Sequence, residues 1–160
     1  MDEIKLLELL QKDGGLSGRE LASMLDSSVK EVDAALKSLR KRKVLKGCKH
    51  VVDWRRVKQN HVGAIIQVKV VPEEQMGFDK ICREISRDDR VLDVFIVTGE
   101  YDIMLIVEAD SMEEVSDFVT EKLAPKKQVV GTSTQIILNT FKREGFSFKV
   151  DKEKRLKASL

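Results

Sequence analysis

The sequence predicts an α+β chain, an N-terminal winged helix-turn-helix followed by a ferredoxin-like βαββαβ domain. Three observations predict it. Two capping boxes, Ser17-x-x-Glu20 and Ser28-x-x-Glu31, open two short helices separated by a brief polar turn. Beyond residue 62, strand and helix patterns alternate in the order β-α-β-β-α-β. Charge is segregated: residues 1–60 hold 14 Lys/Arg against 9 Asp/Glu, residues 61–140 hold 8 against 15, and residues 141–160 hold 7 against 3. Basic ends around an acidic middle indicate separate modules with separate partners.

The elements follow in order. Leu6, Leu7 and Leu10 share one face of a first helix that Gly14-Gly15 ends. The second helix carries Leu21, Met24 and Leu25, and Asp26-Ser27 turns the chain. The third carries Val29, Val32, Leu36 and Leu39 as a buried stripe. Val44-Leu45-Lys46-Gly47 and His50-Val51-Val52 read as two short strands of a wing, and Asp53–Val62 as a linker anchored by Trp54. Next come a strand ending at Pro72 with Ile66, Val68 and Val70 on one face, and a helix starting at Pro72-Glu73-Glu74. That helix has Phe78, Ile81, Cys82 and Ile85 as its stripe. Strands at 91–97 and 101–107 flank Gly99. Ser111-x-x-Glu114 caps a helix with Val115, Phe118, Val119 and Leu123 inward, and a strand at 129–138 closes the order. The expected domains are therefore 1–52, a linker 53–62, a ferredoxin-like domain 63–141, and a basic extension 142–160. Helices on one sheet face leave the other to be covered, and a second copy is the simplest cover, so a homodimer is expected.

Composition narrows the function. At 42% apolar and 35% charged, the 160 residues support a packed core. The longest apolar runs are too short to span a bilayer, so no membrane role is expected. Met1-Asp2-Glu3 has no basic signal-type start, and Cys48 and Cys82 make no metal or disulfide spacing, so the default expectation is a cytoplasmic protein. Lys37 to Lys49 contains seven cations and no acid. Charge alone fits a solvated face. Together with two helices, the second basic outside, it points to double-stranded DNA. Ser27, Ser28, Lys30, Ala34 and Lys37 are positioned to face bases. Arg19, Arg40, Lys41, Lys43, Lys46 and Lys49 are positioned for phosphates. A winged helix used only for protein contacts is the alternative.

The chain resembles the Lrp/AsnC (feast/famine) transcription regulators over roughly residues 3–140. Val97-Thr98-Gly99-Glu100-Tyr101-Asp102 is similar to the family's TGxxD turn. Arg19-Glu20-Leu21-Ala22, Val44 to Gly47, Asp53, and the Thr132–Leu138 strand running on to Thr140-Phe141-Lys142 support it. The resemblance implies dimers on palindromic DNA, assembly to tetramers or octamers, and a small effector, usually an amino acid, between regulatory domains. It would sit at Thr98, Gly99, Glu100, Tyr101 and Asp102, with Thr132, Ser133, Thr134 and Gln135. Gly99 admits close backbone approach, Asp102 offers a charge for an ammonium group, and Thr132 and Thr134 offer hydroxyls on one face. Alternatively, Asp102 holds the turn itself. The sequence departs from the family at Ala35, Lys43 and Cys48, where an arginine, a glycine and a tyrosine are usual. The extension adds Lys149, Lys152, Lys154, Arg155 and Lys157, either for nonspecific DNA affinity or as a disordered tail.

No cofactor, metal site or enzyme is indicated. Cys48 and His50 are the nearest thing to a dyad and are more simply solvated neighbours. Two alternatives stand: an amino-acid sensor with a degenerate DNA module, and a tetrapyrrole decarboxylase-like subunit of similar architecture. Residues 91–102 lack the histidine the latter needs.

Overall fold

The computed structural model describes residues 1–58, 60–71 and 77–148. The chain forms two compact units, Met1–Val51 and a second from Val52 onward.

The first unit is three helices. Asp2 caps α1 (Glu3–Lys12), its carboxylate accepting from the Ile4 N–H at 3.0 Å and the Lys5 N–H at 3.3 Å. Both predicted capping boxes are present. Ser17 and Glu20 satisfy each other's backbone N–H at the start of α2 (Gly18–Met24), and Ser28 and Glu31 do so for α3 (Val29–Lys41). The side-chain bond with Ser17 lowers the Glu20 pKa, and the Ser28 backbone N–H lowers that of Glu31. Leu6, Leu21, Ala22, Val32 and Leu39 form the buried core. Each fully buried leucine contributes about 1.5–3 kcal/mol.

Three expectations fail here. Met24 and Val29 are exposed, because each sits at a helix end beyond the reach of this small core. The wing strands at 44–47 and 50–52 do not form: no ladder joins these segments. A two-stranded hairpin is marginal without a surface to pack on, and only Leu45 of these residues packs against the core.

In the second unit, β1 (Val62–Val70), β2 (Val91–Ile96), β3 (Ile103–Ala109) and β4 (Val129–Ile136) form an antiparallel sheet of order β2-β3-β1-β4. Alternation selects the faces. Ala64, Ile66, Val68 and Val70 of β1 and Ile103, Leu105, Val107 and Ala109 of β3 are buried beneath α4 (Asp79–Ile85) and α5 (Met112–Asp117). The expected helix start at Pro72-Glu73-Glu74 lies outside the described residues. After α5 the chain widens into a π-turn, Phe118–Leu123, closed by the Ala124 N–H donating to the Val119 carbonyl at 2.8 Å. Its geometry accounts for both Phe118 and Leu123 being buried. Five residues of α-helix make about 1.4 turns and would point the two side chains apart.

The opposite sheet face carries Ile65, Met104 and Ile106 at its centre and an exposed Phe95 at one side. Residues 54–56 form a short 3-10 turn rather than a free linker. The first part of the expected extension is a hairpin, β5 (Lys142–Arg143) and β6 (Phe146–Ser147). Glu144 and Gly145, at φ 49° and 86°, supply the two positive φ angles of a tight hairpin turn. Lys149 and the other basic residues beyond it lie outside the described residues.

Candidate functional site

Residues Lys30, Ala34, Lys37 and Lys41 recur at i, i+4, i+7 and i+11 on α3, and all are exposed. They form one outward stripe opposite Val32 and Leu39. Arg19 is exposed on α2. The two predicted serines are differently committed. The Ser27 hydroxyl donates to the Leu25 carbonyl at 3.1 Å, and the Ser28 hydroxyl donates to Glu31 at 2.9 Å. Both build the turn and the helix start, so a base contact from either requires an exchange of bonds.

The cations from Lys37 to Lys49 divide clearly. Arg42 pairs with Glu3 at 2.6 Å and ties the end of α3 to the start of α1. Lys37, Arg40, Lys41, Lys43, Lys46 and Lys49 make no ion pair among the described residues. Lys43 has φ 57°. It closes α3 in a Schellman motif: the Val44 N–H donates to the Leu39 carbonyl at 3.0 Å and the Lys43 N–H to the Arg40 carbonyl at 3.0 Å. Glycine is the usual occupant of such a position, so a lysine here keeps a cation at a conformational cost.

The glycine turn lies between β2 and β3. Gly99 has φ 127°, and the space a side chain would enter is open, so backbone conformation alone demands glycine. Thr98 and Glu100 are exposed, while Tyr101 and Asp102 are half-buried. The Val97 N–H donates to the Asp102 carbonyl at 2.9 Å and closes the turn. The Asp102 carboxylate accepts from the Val70 N–H at 3.0 Å and meets the Lys69 ammonium at 3.4 Å. The Val70 N–H first, and Lys69 after it, hold this carboxyl below its ordinary range. Asp102 therefore secures the end of β1 to the turn.

Thr132 pairs across β1 with Val68, and Ile103 pairs with Val68 from the other side. The turn and β4 thus share one end of the sheet but stand two strand spacings apart, about 10 Å within one chain. Thr132 and Thr134 lie opposite Val68 and Ile66 on the helix-covered side, and Ser133 and Gln135 lie opposite Gln67 and Ile65 on the open side. The structure brings the Thr98–Asp102 set together, and it divides the β4 set between two faces.

A further cluster escaped the sequence reading. The Arg55 guanidinium bonds Asp53 at 3.1 Å, Asn139 and the Thr140 carbonyl, and lies over the Phe148 ring at 5.8 Å. Arg55 lowers the Asp53 pKa. Glu108 pairs with Arg143 and approaches His61 at 3.6 Å. These contacts bind Asp53, Arg55, His61 and the hairpin to the sheet. The x-Gly pair Glu144-Gly145 was the available signal for that hairpin. Among the described residues, no His, Cys, Asp or Glu cluster fits a metal ion, and no helix is long and apolar enough to cross a membrane.

Comparison with known proteins fits both units. The family model for the Lrp/AsnC ligand binding domain matches residues 63–145, and one for winged helix-turn-helix DNA-binding matches residues 1–46. The chain is 34% identical to the uncharacterized HTH-type transcriptional regulator YugG of Bacillus subtilis, covering 98% of this chain and 96% of that protein. Among solved structures, the leucine response regulatory protein LrpA of Mycobacterium tuberculosis matches at TM-score 0.74 and 23% identity, covering 90% of this chain and 97% of that one. The NMB0573 regulator of Neisseria meningitidis, solved with L-Met, matches at 0.71 and 22%, covering 94% and 96%.

Proposed function

The chain belongs to the Lrp/AsnC family of DNA-binding transcription regulators with an effector-binding domain, and from that premise we propose how it acts. It is a regulator rather than an enzyme. It acts in the cytoplasm, where a homodimer holds two helix-turn-helix units against palindromic duplex DNA. The α3 stripe, with Ser27 and Ser28 at its start, meets base edges. Arg19 on α2 and Arg40, Lys41, Lys43, Lys46 and Lys49 meet phosphates. The observation that carries this reading is a run of cations that form no ion pair among the described residues, beside a helix whose outer face is itself basic. A salt titration of DNA binding tests it, because each neutralised phosphate contributes about −0.9 to the log–log slope.

The dimer forms through the open sheet face, whose apolar centre of Ile65, Met104 and Ile106 is of the kind a second copy covers. Dimers assemble into tetramers or octamers. A small effector with the ammonium and carboxylate of an amino acid binds between regulatory domains, at Thr98–Asp102 of one and Thr132–Gln135 of another. The roughly 10 Å between these sets within one chain favours a site shared between copies. The NMB0573 structure holding L-Met supports the ligand class. Calorimetry against the twenty amino acids tests it, and sedimentation with no folded monomer at micromolar concentration tests the dimer.

A further inference from the structure

The helix-turn-helix unit contains a cavity of about 470 Å³ that neither DNA nor the effector reading uses. Its lining comes from the end of α1, the α1–α2 loop, α2, α3 and residues 45–48. Leu10, Leu16, Leu36 and Leu45 line it and stay half-buried, and the fully buried Leu21 forms its inner wall. The volume lies within the roughly 300–1,000 Å³ of small-molecule sites. The wall made by residues 46–48 is lightly held. Among the described residues the Cys48 thiol donating to the Gly14 carbonyl, at 3.7 Å, is the one hydrogen bond of that segment.

The charges at the mouth are asymmetric. Arg40, Lys46 and Asp33 line it, and none of the three forms an ion pair among the described residues. On α3, Asp33, Leu36 and Arg40 stand at i, i+3 and i+7, so the acid and the arginine are separated by about 10 Å along the helix axis. Two cations at one end, leucines between and a carboxylate at the other end suit a molecule with one anionic head and an apolar body. A second negative charge would fall toward Asp33. We propose that this cavity binds an apolar monocarboxylate, headed by Arg40 and Lys46, whose occupancy competes with DNA for those two cations. This adds a ligand site in the DNA-reading unit, separate from the effector turn, and its competition arm rests on the DNA reading.

The test uses the full chain with sodium octanoate as the probe. Octanoate binds at one equivalent per chain and slows alkylation of Cys48 by iodoacetamide at least threefold. Cys82, in the other unit, is the internal reference and keeps its rate. Octane-1,8-dioate, with its second charge, binds at least fivefold more weakly. Leu16→Trp fills the cavity and lowers octanoate affinity tenfold or more, and Lys46→Gln lowers it several-fold. Octanoate weakens binding of the wild type to a nonspecific duplex. Because the Cys48 rate is read on the wild type, the proposal is decided even if Leu16→Trp does not fold. An unchanged Cys48 rate at saturating octanoate overturns it, as does a folded Leu16→Trp protein that binds octanoate like the wild type. Equal affinity for the dicarboxylate overturns the charge assignment. A chain that protects Cys48 but binds no duplex refutes the DNA reading and leaves the cavity site standing.

Discussion

The stretch after α3 and the turn between β2 and β3 use charge in opposite ways. From Lys37 to Lys49, only Arg42 forms an ion pair among the described residues, and the other six cations are exposed. In the Thr98–Asp102 turn, the one buried-side carboxylate is already engaged by the Val70 N–H and Lys69. The two regions also differ at their positive φ angles. The turn uses Gly99, which adopts φ 127° without steric penalty, whereas the helix end uses Lys43 at φ 57°. Where a charge serves the fold, the backbone supplies its partner. Where it is left unpaired, and even placed at a strained position, it stays available to a partner outside the chain.

The largest expected effect breaks the first half of that contrast. Lys43→Gln combined with Lys46→Gln weakens duplex binding about a hundredfold at ~0.1 M salt, roughly tenfold per lost phosphate contact, and does so for all sequences. The melting temperature is not lowered, because neither cation holds the fold. Filter binding on specific and nonspecific duplexes, alongside a thermal melt, checks both statements.

Next in size is Gly99→Ala. A side chain at φ 127° imposes backbone strain of about 1–3 kcal/mol, read as a lower denaturant midpoint with DNA affinity per folded dimer unchanged. A smaller effect of opposite sign follows from Lys43→Gly, which removes the left-handed penalty and stabilises the chain by about 1 kcal/mol while costing one phosphate contact. A stability gain without a loss of DNA affinity would show that Lys43 has no partner.

The smallest effect is the acid limb of stability. Asp102 has a folded-state pKa below its ordinary value of 3.8, so its contribution is complete above that value and is lost as pH falls through the folded pKa. Asp102→Asn removes the Lys69 pair and flattens that limb in an acid titration followed by circular dichroism. An unchanged acid limb in the variant would mean the carboxylate does not hold the turn.

Much of this contrast was legible from residues alone. The capping boxes announce themselves because both partners lie within three residues, and the strand faces follow from alternation in Ile66, Val68 and Val70. What was not legible depends on partners distant in sequence. Asp102 finds the Val70 N–H through the register of β1 against β3, and Arg55 finds Asn139 across 84 positions. The strand pairing expected at 44–47 and 50–52 is absent for a related reason: Val44 and Val52 have strand propensity but remain exposed, with no surface to pack on. The π-turn was hidden because Val119 and Leu123, four residues apart, already fit an α-helical stripe, and the burial of both Phe118 and Leu123, five apart, shows only in the folded chain.

The central claim is that the unpaired cations of residues 37–49 are held for DNA phosphate. It is tested most directly by log K against log salt for the wild type and the Lys43→Gln, Lys46→Gln variant on one duplex. The account predicts a steep negative slope for the wild type, shallower in the variant by about 0.9 for each contact removed. Identical slopes, or a wild-type affinity indifferent to salt, would contradict it.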